Sequence, residues 1–343
     1  MSTSRGRIWT GVIRVTPYDR DHTVAIRAAI SVGLPLVVLW SIGRLDLSIY
    51  ASFGAFASLY GRTDRIGDRV RMQVAAGAVV VAAMLIGTAL SVATVPALFA
   101  IVVVAAVASM ATLLAYATQW HPPGALFIVF AAGATASIPA EGARFGHVLV
   151  VGLAAVVFSL AVTLVSETVT GRRIPRLTRT KNRMPVGVVA AEMALTVAVA
   201  TVLAGAAGLL LFHAHWYWAM VGAVAAVSGP HVKARVIRGL QRLIGTLLGV
   251  LVAAGILALG MPPLAVILIA VALQAGAELF VGRNYAIAMV FITPLALLMV
   301  QLAAPTTVGV LLTDRLWETV VGIVAGTAVA VGSALIRGRR RRA

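Results

Sequence analysis

The stretch YASFGAFASLYGRTDRIGDRVRMQVAAG (Tyr50 to Gly77) aligns without a gap on WAMVGAVAAVSGPHVKARVIRGLQRLIG (Trp218 to Gly245), 168 residues further on. Ala51, Gly54, Ala55, Ala57, Gly61, Gln73 and Gly77 recur as Ala219, Gly222, Ala223, Ala225, Gly229, Gln241 and Gly245, and an aromatic residue opens both copies. Alanine-rich chains match by chance easily, but three glycines and a glutamine in register mark an internal repeat. A duplicated set of hydrophobic helices points to a transporter or channel before any chemical motif is read.

Composition makes lipid the solvent. The chain of 343 residues is 61% hydrophobic and 11% charged, with a mean hydropathy of +1.00, and would expose more apolar surface than a soluble fold could cover. The polar start MSTSRGRIWTGVIRVTPYDRD lacks the apolar core and small-residue cleavage site of a secretory signal, so the first helix is expected to stay in the mature protein. With no cysteine, disulfides, thiolate metal sites and thiol nucleophiles are excluded. Arginine outnumbers lysine 26 to 2, which hints at a GC-rich bacterial genome.

A spanning helix needs roughly 20 apolar residues. Twelve candidates emerge, giving an all-α polytopic membrane protein. They are 23–40, 47–60, 74–94, 96–118, 123–139 and 146–168 in the first half, and 186–212, 216–228, 243–259, 263–278, 285–303 and 317–336 in the second. The expected organisation is a cytoplasmic tail (1–22), a first six-helix repeat (23–168), a basic cytoplasmic linker (169–185), a second six-helix repeat (186–336) and a basic tail (337–343). Because cytoplasmic loops gather Lys and Arg, both termini are expected inside, in a bacterial plasma membrane, with only Arg44, Arg144 and Arg315 outside. Six helices per repeat is an even number, so the copies share one orientation about an axis along the membrane normal. The net charge of +17 is dispersed over short loops, which fits topology signals and contact with anionic lipid headgroups. A nucleic-acid partner would require it massed on one face.

Short or interrupted helices at matching places in two repeats point to a transport site. The second helix of each repeat qualifies, since about 20 Å of helix falls short of the roughly 30 Å hydrocarbon core. Gly54, Gly61, Gly222, Gly229 and Gly245 are candidate helix-packing positions. Ionisable residues inside spans are default functional candidates. Arg27 and Glu192 fall early in the first and seventh helices, at equivalent depth if both begin inside. They are expected to pair across the repeats, or to divide the labour, with Arg27 attracting an anion and Glu192 exchanging a proton. Snorkelling to the inner interface is the alternative. Glu278, Arg283 and Glu318 lie nearer helix ends and read as solvated. His213 and His215 sit two apart with no ligand nearby in sequence, so no metal site is expected. Walker, GxSxG and HExxH motifs are missing and the eleven acids are scattered, so the chain reads as a non-enzyme with no catalytic residues and no cofactor.

The second half carries HWYWAMVGAVAAVSGPHVKARVIRGLQRLIGTLLGVLVA (His215 to Ala253) and RNYAIAMVFITPLALLM (Arg283 to Met299). These segments resemble the fusaric acid resistance protein family of bacterial integral membrane transporters. That family is similar to the aromatic acid exporters and more remotely to the plant aluminium-activated malate channels. The resemblance implies movement of small organic, often aromatic, acid anions, with two fused six-helix units standing for the dimer of the channel relatives. A further homo-oligomer is compatible with it. In the first repeat Val74 and Ala78 replace Arg242 and Thr246, so unequal contributions from the halves are expected.

Together the residues and the resemblance give an exporter or channel for small organic anions. Arg27, Arg238 and Arg242 would attract the anion, while Tyr50, Trp218, Asn284, Tyr285 and Thr293 would line the path and Pro294 free a backbone carbonyl within its helix. The competing class is a membrane scaffold in envelope or lipid assembly, with a core closed by small residues. An intramembrane lipid-modifying enzyme would need paired acids or histidines in one cavity, which the scatter of acids argues against.

Overall fold

The structure is a computed structural model that describes residues 9–15, 21–62, 64–120, 122, 124–170, 186–212, 215–229 and 232–340. Residues 171–185 of the expected linker, most of the N-terminal tail and residues 341–343 lie outside the described residues, as does His213, while α6 and α12 run on into the expected linker and C-terminal tail. Beyond a helical turn at residues 9–13, the described chain folds into α1 (Asp21–Ser41), α2 (Ser48–Ala55), α3 (Ile66–Val92), α4 (Ala97–Thr118), α5 (Leu126–Ser137) and α6 (Arg144–Thr170). Then follow α7 (Val186–Phe212), α8 (Tyr217–Val227), α9 (Val232–Ala258), α10 (Pro263–Phe280), α11 (Tyr285–Ala303) and α12 (Val308–Arg340). Short 3-10 turns flank α2 at Leu45–Leu47 and Phe56–Leu59.

Among the described residues nine helices are long and apolar enough to cross a membrane. The other three are α2 with its flanking turns, α5 and α8. The chain is therefore an all-α, multi-pass membrane protein in which some helices reach only part of the way. The second helix of each repeat is short as its sequence suggests, and α5 joins it. Three helices begin well before their hydropathy does: α3 at Ile66, α9 at Val232 and α12 at Val308. Each carries charged residues in helical register within its first three turns, and a hydropathy window reads those as loop. In α9 the spacing of Arg235, Arg238 and Arg242 puts three guanidinium side chains along one face.

The packing repeats with the sequence. In the first six helices α1 meets α2 and α6, α2 meets α6, α3 meets α5 and α6, and α4 meets α5. Adding six to each label gives the packing of the second set: α7 with α8 and α12, α8 with α12, α9 with α11 and α12, and α10 with α11. The contacts between the sets also exchange. The α4–α7 contact is matched by α1–α10, and α5–α8 by α2–α11. Each set therefore closes on the other through its first and fourth helices, with the short helices at the centre.

Missing side chains make those central contacts. Every residue of α2 and of α8 is buried. A Cβ on Gly54 would fall 2.5 Å from the Gly152 carbonyl oxygen of α6, and one on Gly222 would fall 3.3 Å from Gly322 Cα of α12, so glycine sets matching seams. Gly245 packs α9 on α11, where a Cβ would meet the Ala286 carbonyl oxygen at 2.3 Å.

Gly61 and Gly229 sit where each short helix turns against the next: a Cβ on Gly61 would meet Arg69 Cα of α3 at 2.9 Å, and one on Gly229 the Arg235 nitrogen of α9 at 3.4 Å. They end the short helices with φ of +70° and +147°, a region that disfavours side chains. An arginine then closes each turn: Arg69 Nε donates to the Gly61 carbonyl and Arg235 Nε to that of Gly229, both at 3.0 Å. The two arginines are eight and six residues past their glycines, so the ungapped alignment slips between turn and helix. Outward faces of α6, α7 and α9 present Val157, Val188, Leu195 and Leu251, the apolar surface that lipid would cover.

Candidate functional site

Where α2 and α5 of the first set meet α8, α10 and α11 of the second lies a largely apolar cavity of about 360 Å³. Its wall follows α11 from Tyr285 to Val300, a rise of about 22 Å at 1.5 Å per residue. Aromatic rings hand over across the junction between the sets. Phe53 of α2 meets Phe130 of α5 edge-on with centroids 4.8 Å apart, and Phe130 meets Trp218 of α8 at 4.5 Å. Phe56 and Phe127 extend this wall.

Three guanidinium groups of the second set border the same space. Arg242 Nη1 donates to the Tyr285 hydroxyl at 2.8 Å and approaches Met289 Sδ at 3.7 Å. Arg238 lies with its guanidinium carbon 4.2 Å from the Tyr285 ring centre, and Arg315 lies 3.9 Å from that of Trp218. Cation–π contact of this kind strengthens as the pair is desolvated. Arg242 and Arg315 are 2% and 1% exposed. Even so, among the described residues Arg238 Nε, Arg242 Nε and both Nε and Nη1 of Arg315 have no hydrogen-bond partner. Buried donors are normally satisfied, so four idle donor nitrogens around one cavity call for an acceptor.

Among the described residues no carboxylate that lines the cavity supplies it. Among the described residues, the acid in the cavity wall is Glu278, which forms an ion pair with Arg62 and accepts from Gln274 Nε2 at 3.3 Å. The remaining charge on the wall is positive, in a place where low polarisability strengthens each interaction.

Of the residues singled out from sequence, Trp218, Tyr285, Arg238 and Arg242 meet at this cavity. Tyr50 is buried on α2 away from it, and Thr293 faces Gly249 in the α9–α11 seam. Asn284 has a structural task. Its Oδ1 accepts from the Ala286 and Ile287 amides, capping α11, while Nδ2 donates to the carbonyls of Val12 and Arg14 at 2.9 and 3.1 Å. Gln241 ties down the same N-terminal segment through the Gly11 and Val12 carbonyls. Its repeat mate Gln73 instead holds the carbonyls of Ser58 and Tyr60 at the end of the short helix.

Arg27 and Glu192 are not brought together. Arg27 is buried on α1, reaching the Ser58 carbonyl at 3.5 Å, and its electrostatic neighbours are Arg69, Glu167 and Arg62. Glu192 is half-buried on α7, which packs against α4, α8 and α12. Neither lines the cavity.

Three residues read as loop or helix-end charges are buried instead. Glu278 is 6% exposed, Arg315 1% and Glu318 0%. The run TDRLWE from Thr313 to Glu318 resembles a helix boundary in composition. Yet Arg315 and Glu318 are three apart in a continuing helix, which would have revealed a shared face. His215 also gains a neighbour that the sequence concealed, Asp314 Oδ2, at 2.8 Å from its Nδ1. Among the described residues no group of three potential metal ligands occurs.

Residues 199–329 match the model of the fusaric acid resistance protein-like family. Over that segment the chain is similar to the family. No curated protein and no solved structure matches the chain. The matched segment holds the α8–α12 wall of the cavity and the three unsatisfied arginines, so the fusaric acid resistance-like half supplies the charge. The family that this segment matches is associated with transport and efflux.

Proposed function

We propose that the protein moves small organic acid anions, aromatic carboxylates first among them, through the cavity between its two six-helix sets. The observation that carries this is the group of idle donors on Arg238, Arg242 and Arg315 facing an aromatic-walled space with one acid, already paired. A carboxylate would take the Arg242 and Arg315 donors, and charge-assisted hydrogen bonds of that type are the strong ones. An aromatic ring would lie against Phe130 and Trp218, where stacked or edge-on contact adds to burial. Both termini would be cytoplasmic in a bacterial plasma membrane, consistent with the basic loops. The repeats would then share one orientation, with the cavity mouth near Arg62 and Gly282 facing inward.

Benzoate binding to the purified protein is the test, with Arg242→Gln and Arg315→Gln beside the unsubstituted chain. Binding that weakens in both variants supports the anion site. Binding that is equal in all three removes the arginines from it. A chain that binds no carboxylate and passes none across a bilayer is better described as a scaffold.

A further inference from the structure

Glu318 is a buried charge that the anion pathway leaves unexplained. It follows Arg315 by three residues on α12, so the two side chains leave the helix on one side. It is fully buried, and among the described residues no side chain hydrogen-bonds to either carboxylate oxygen. Its nearest polar surroundings are the backbone amides of Trp218 and Ala219. Those amides belong to the first turn of α8, where the Trp218 N–H also donates to the His215 carbonyl at 2.9 Å. An ionised carboxylate so placed is costly, whereas a protonated one is neutral.

The titratable neighbours are few. On α12 itself they are Asp314 and Arg315, and just before α8 stands His215, 2.8 Å from Asp314. From α8 comes Tyr217, and from α9 Arg242, which acts on Arg315. The titratable residue of α7 is Glu192. It is sixteen residues, or about 24 Å of helix, from Gly208, where α7 touches α8. His215 engages Asp314, so Glu318 is the acid left beside the cavity arginine.

We propose that Glu318 is a proton-binding site linked to the anion site through Arg315, so that anion and proton are bound together. This rests on the anion reading above and adds the coupling ion to it. With Glu318 ionised, its charge offsets that of Arg315 one helical turn away and opposes a second negative group in the cavity. With Glu318 protonated, the full charge and idle donors of Arg315 serve the substrate carboxylate. The balance is simple: one proton passes from water to a Glu318 oxygen for each anion taken up, and no other bond changes. By linkage the effect is reciprocal, the anion raising the affinity for the proton by the factor that the proton raises affinity for the anion. A monovalent carboxylate then travels with no net charge, and a pH gradient drives it.

Calorimetric titration of the full-length protein with benzoate, in two buffers of different ionisation enthalpy, counts the protons exchanged. On the alkaline limb the expected result is about one proton taken up per benzoate and affinity falling about tenfold per pH unit. Both effects should vanish in Glu318→Gln and persist in Asp314→Asn. Benzoate binding without proton uptake, or uptake that survives in Glu318→Gln, overturns the proton site while leaving the anion site standing. No benzoate binding at any pH removes the anion site, and this coupling with it. Should Glu318→Gln fail to fold, the proton count on the unsubstituted protein and on Asp314→Asn still decides.

Discussion

Gly322→Ala should loosen the seam that holds Trp218 and Arg315 in place. A Cβ at this position would lie 2.2 Å from the Ala219 carbonyl oxygen, 2.9 Å from its carbon and 3.0 Å from Gly222 Cα. Carbon and oxygen in close helix contact normally sit about 3.3 Å apart or more, so α8 and α12 must part by about 1 Å. The obstructing atoms are backbone, which cannot rotate aside as a side chain would. Overpacking costs about 1–3 kcal/mol, and a backbone obstruction belongs at the upper end. At about 2–4 °C per kcal/mol the unfolding midpoint should fall by about 6–12 °C. Gly255→Ala is the matched control, because a Cβ there meets nothing within 4 Å. It should be neutral or gain up to about 1 kcal/mol from helix propensity. The assay is thermal unfolding in detergent followed by tryptophan fluorescence at one scan rate, with benzoate affinity measured alongside. Equal midpoints for Gly322→Ala and Gly255→Ala would refute the glycine seam, and a destabilised variant with undiminished affinity would uncouple it from the site.

Other substitutions probe separate parts of the molecule. Arg242→Gln removes a charged donor and should weaken benzoate by about ten- to a hundredfold in a binding titration, with Arg242→Lys between the two. Asn284→Ala deletes the α11 cap and the hold on Val12 and Arg14 together. It should cost about 1 kcal/mol for the cap and speed hydrogen exchange at residues 10–14. Near the start of α2, the hydrogen bond from Arg44 holds the Asp46 carboxyl below its ordinary value, with Arg144 adding to it. A depressed carboxyl contributes stability above its unfolded pKa and loses it as pH falls through the lower folded value. Asp46→Asn should therefore remove part of the acid limb of a stability-versus-pH curve, and the effect should shrink in high salt because these side chains are partly exposed.

Much of this architecture was legible because membrane helices announce themselves by length and apolarity, and because the Tyr50 and Trp218 copies fix the repeat. The matched glycines Gly54 and Gly222 marked the central short helices, and both do occupy the α2–α6 and α8–α12 seams. Charges inside helices were harder to place. Hydropathy averages over a window, so Asp314, Arg315 and Glu318 pulled the predicted start of the last helix from Val308 to Trp317. Two of the residues nearest the idle donors were thereby read as surface. Arg27 and Glu192 occupy equivalent positions in the chain, but equivalent helices lie on opposite sides of an exchanging pair of bundles, so matching depth did not imply contact. Asn284 looked like a path residue because nothing local reveals that a segment some 270 residues earlier returns to its amide.

Flux of benzoate into proteoliposomes containing the purified protein tests the central claim most directly, measured with and without an imposed pH gradient and repeated with the Arg242→Gln, Arg315→Gln double variant. The account predicts uptake that requires the protein, is driven by the pH gradient and is lost in the double variant while its level in the membrane is unchanged. Flux equal in the presence and absence of both arginines, or no flux of any carboxylate through the unsubstituted chain, would contradict it.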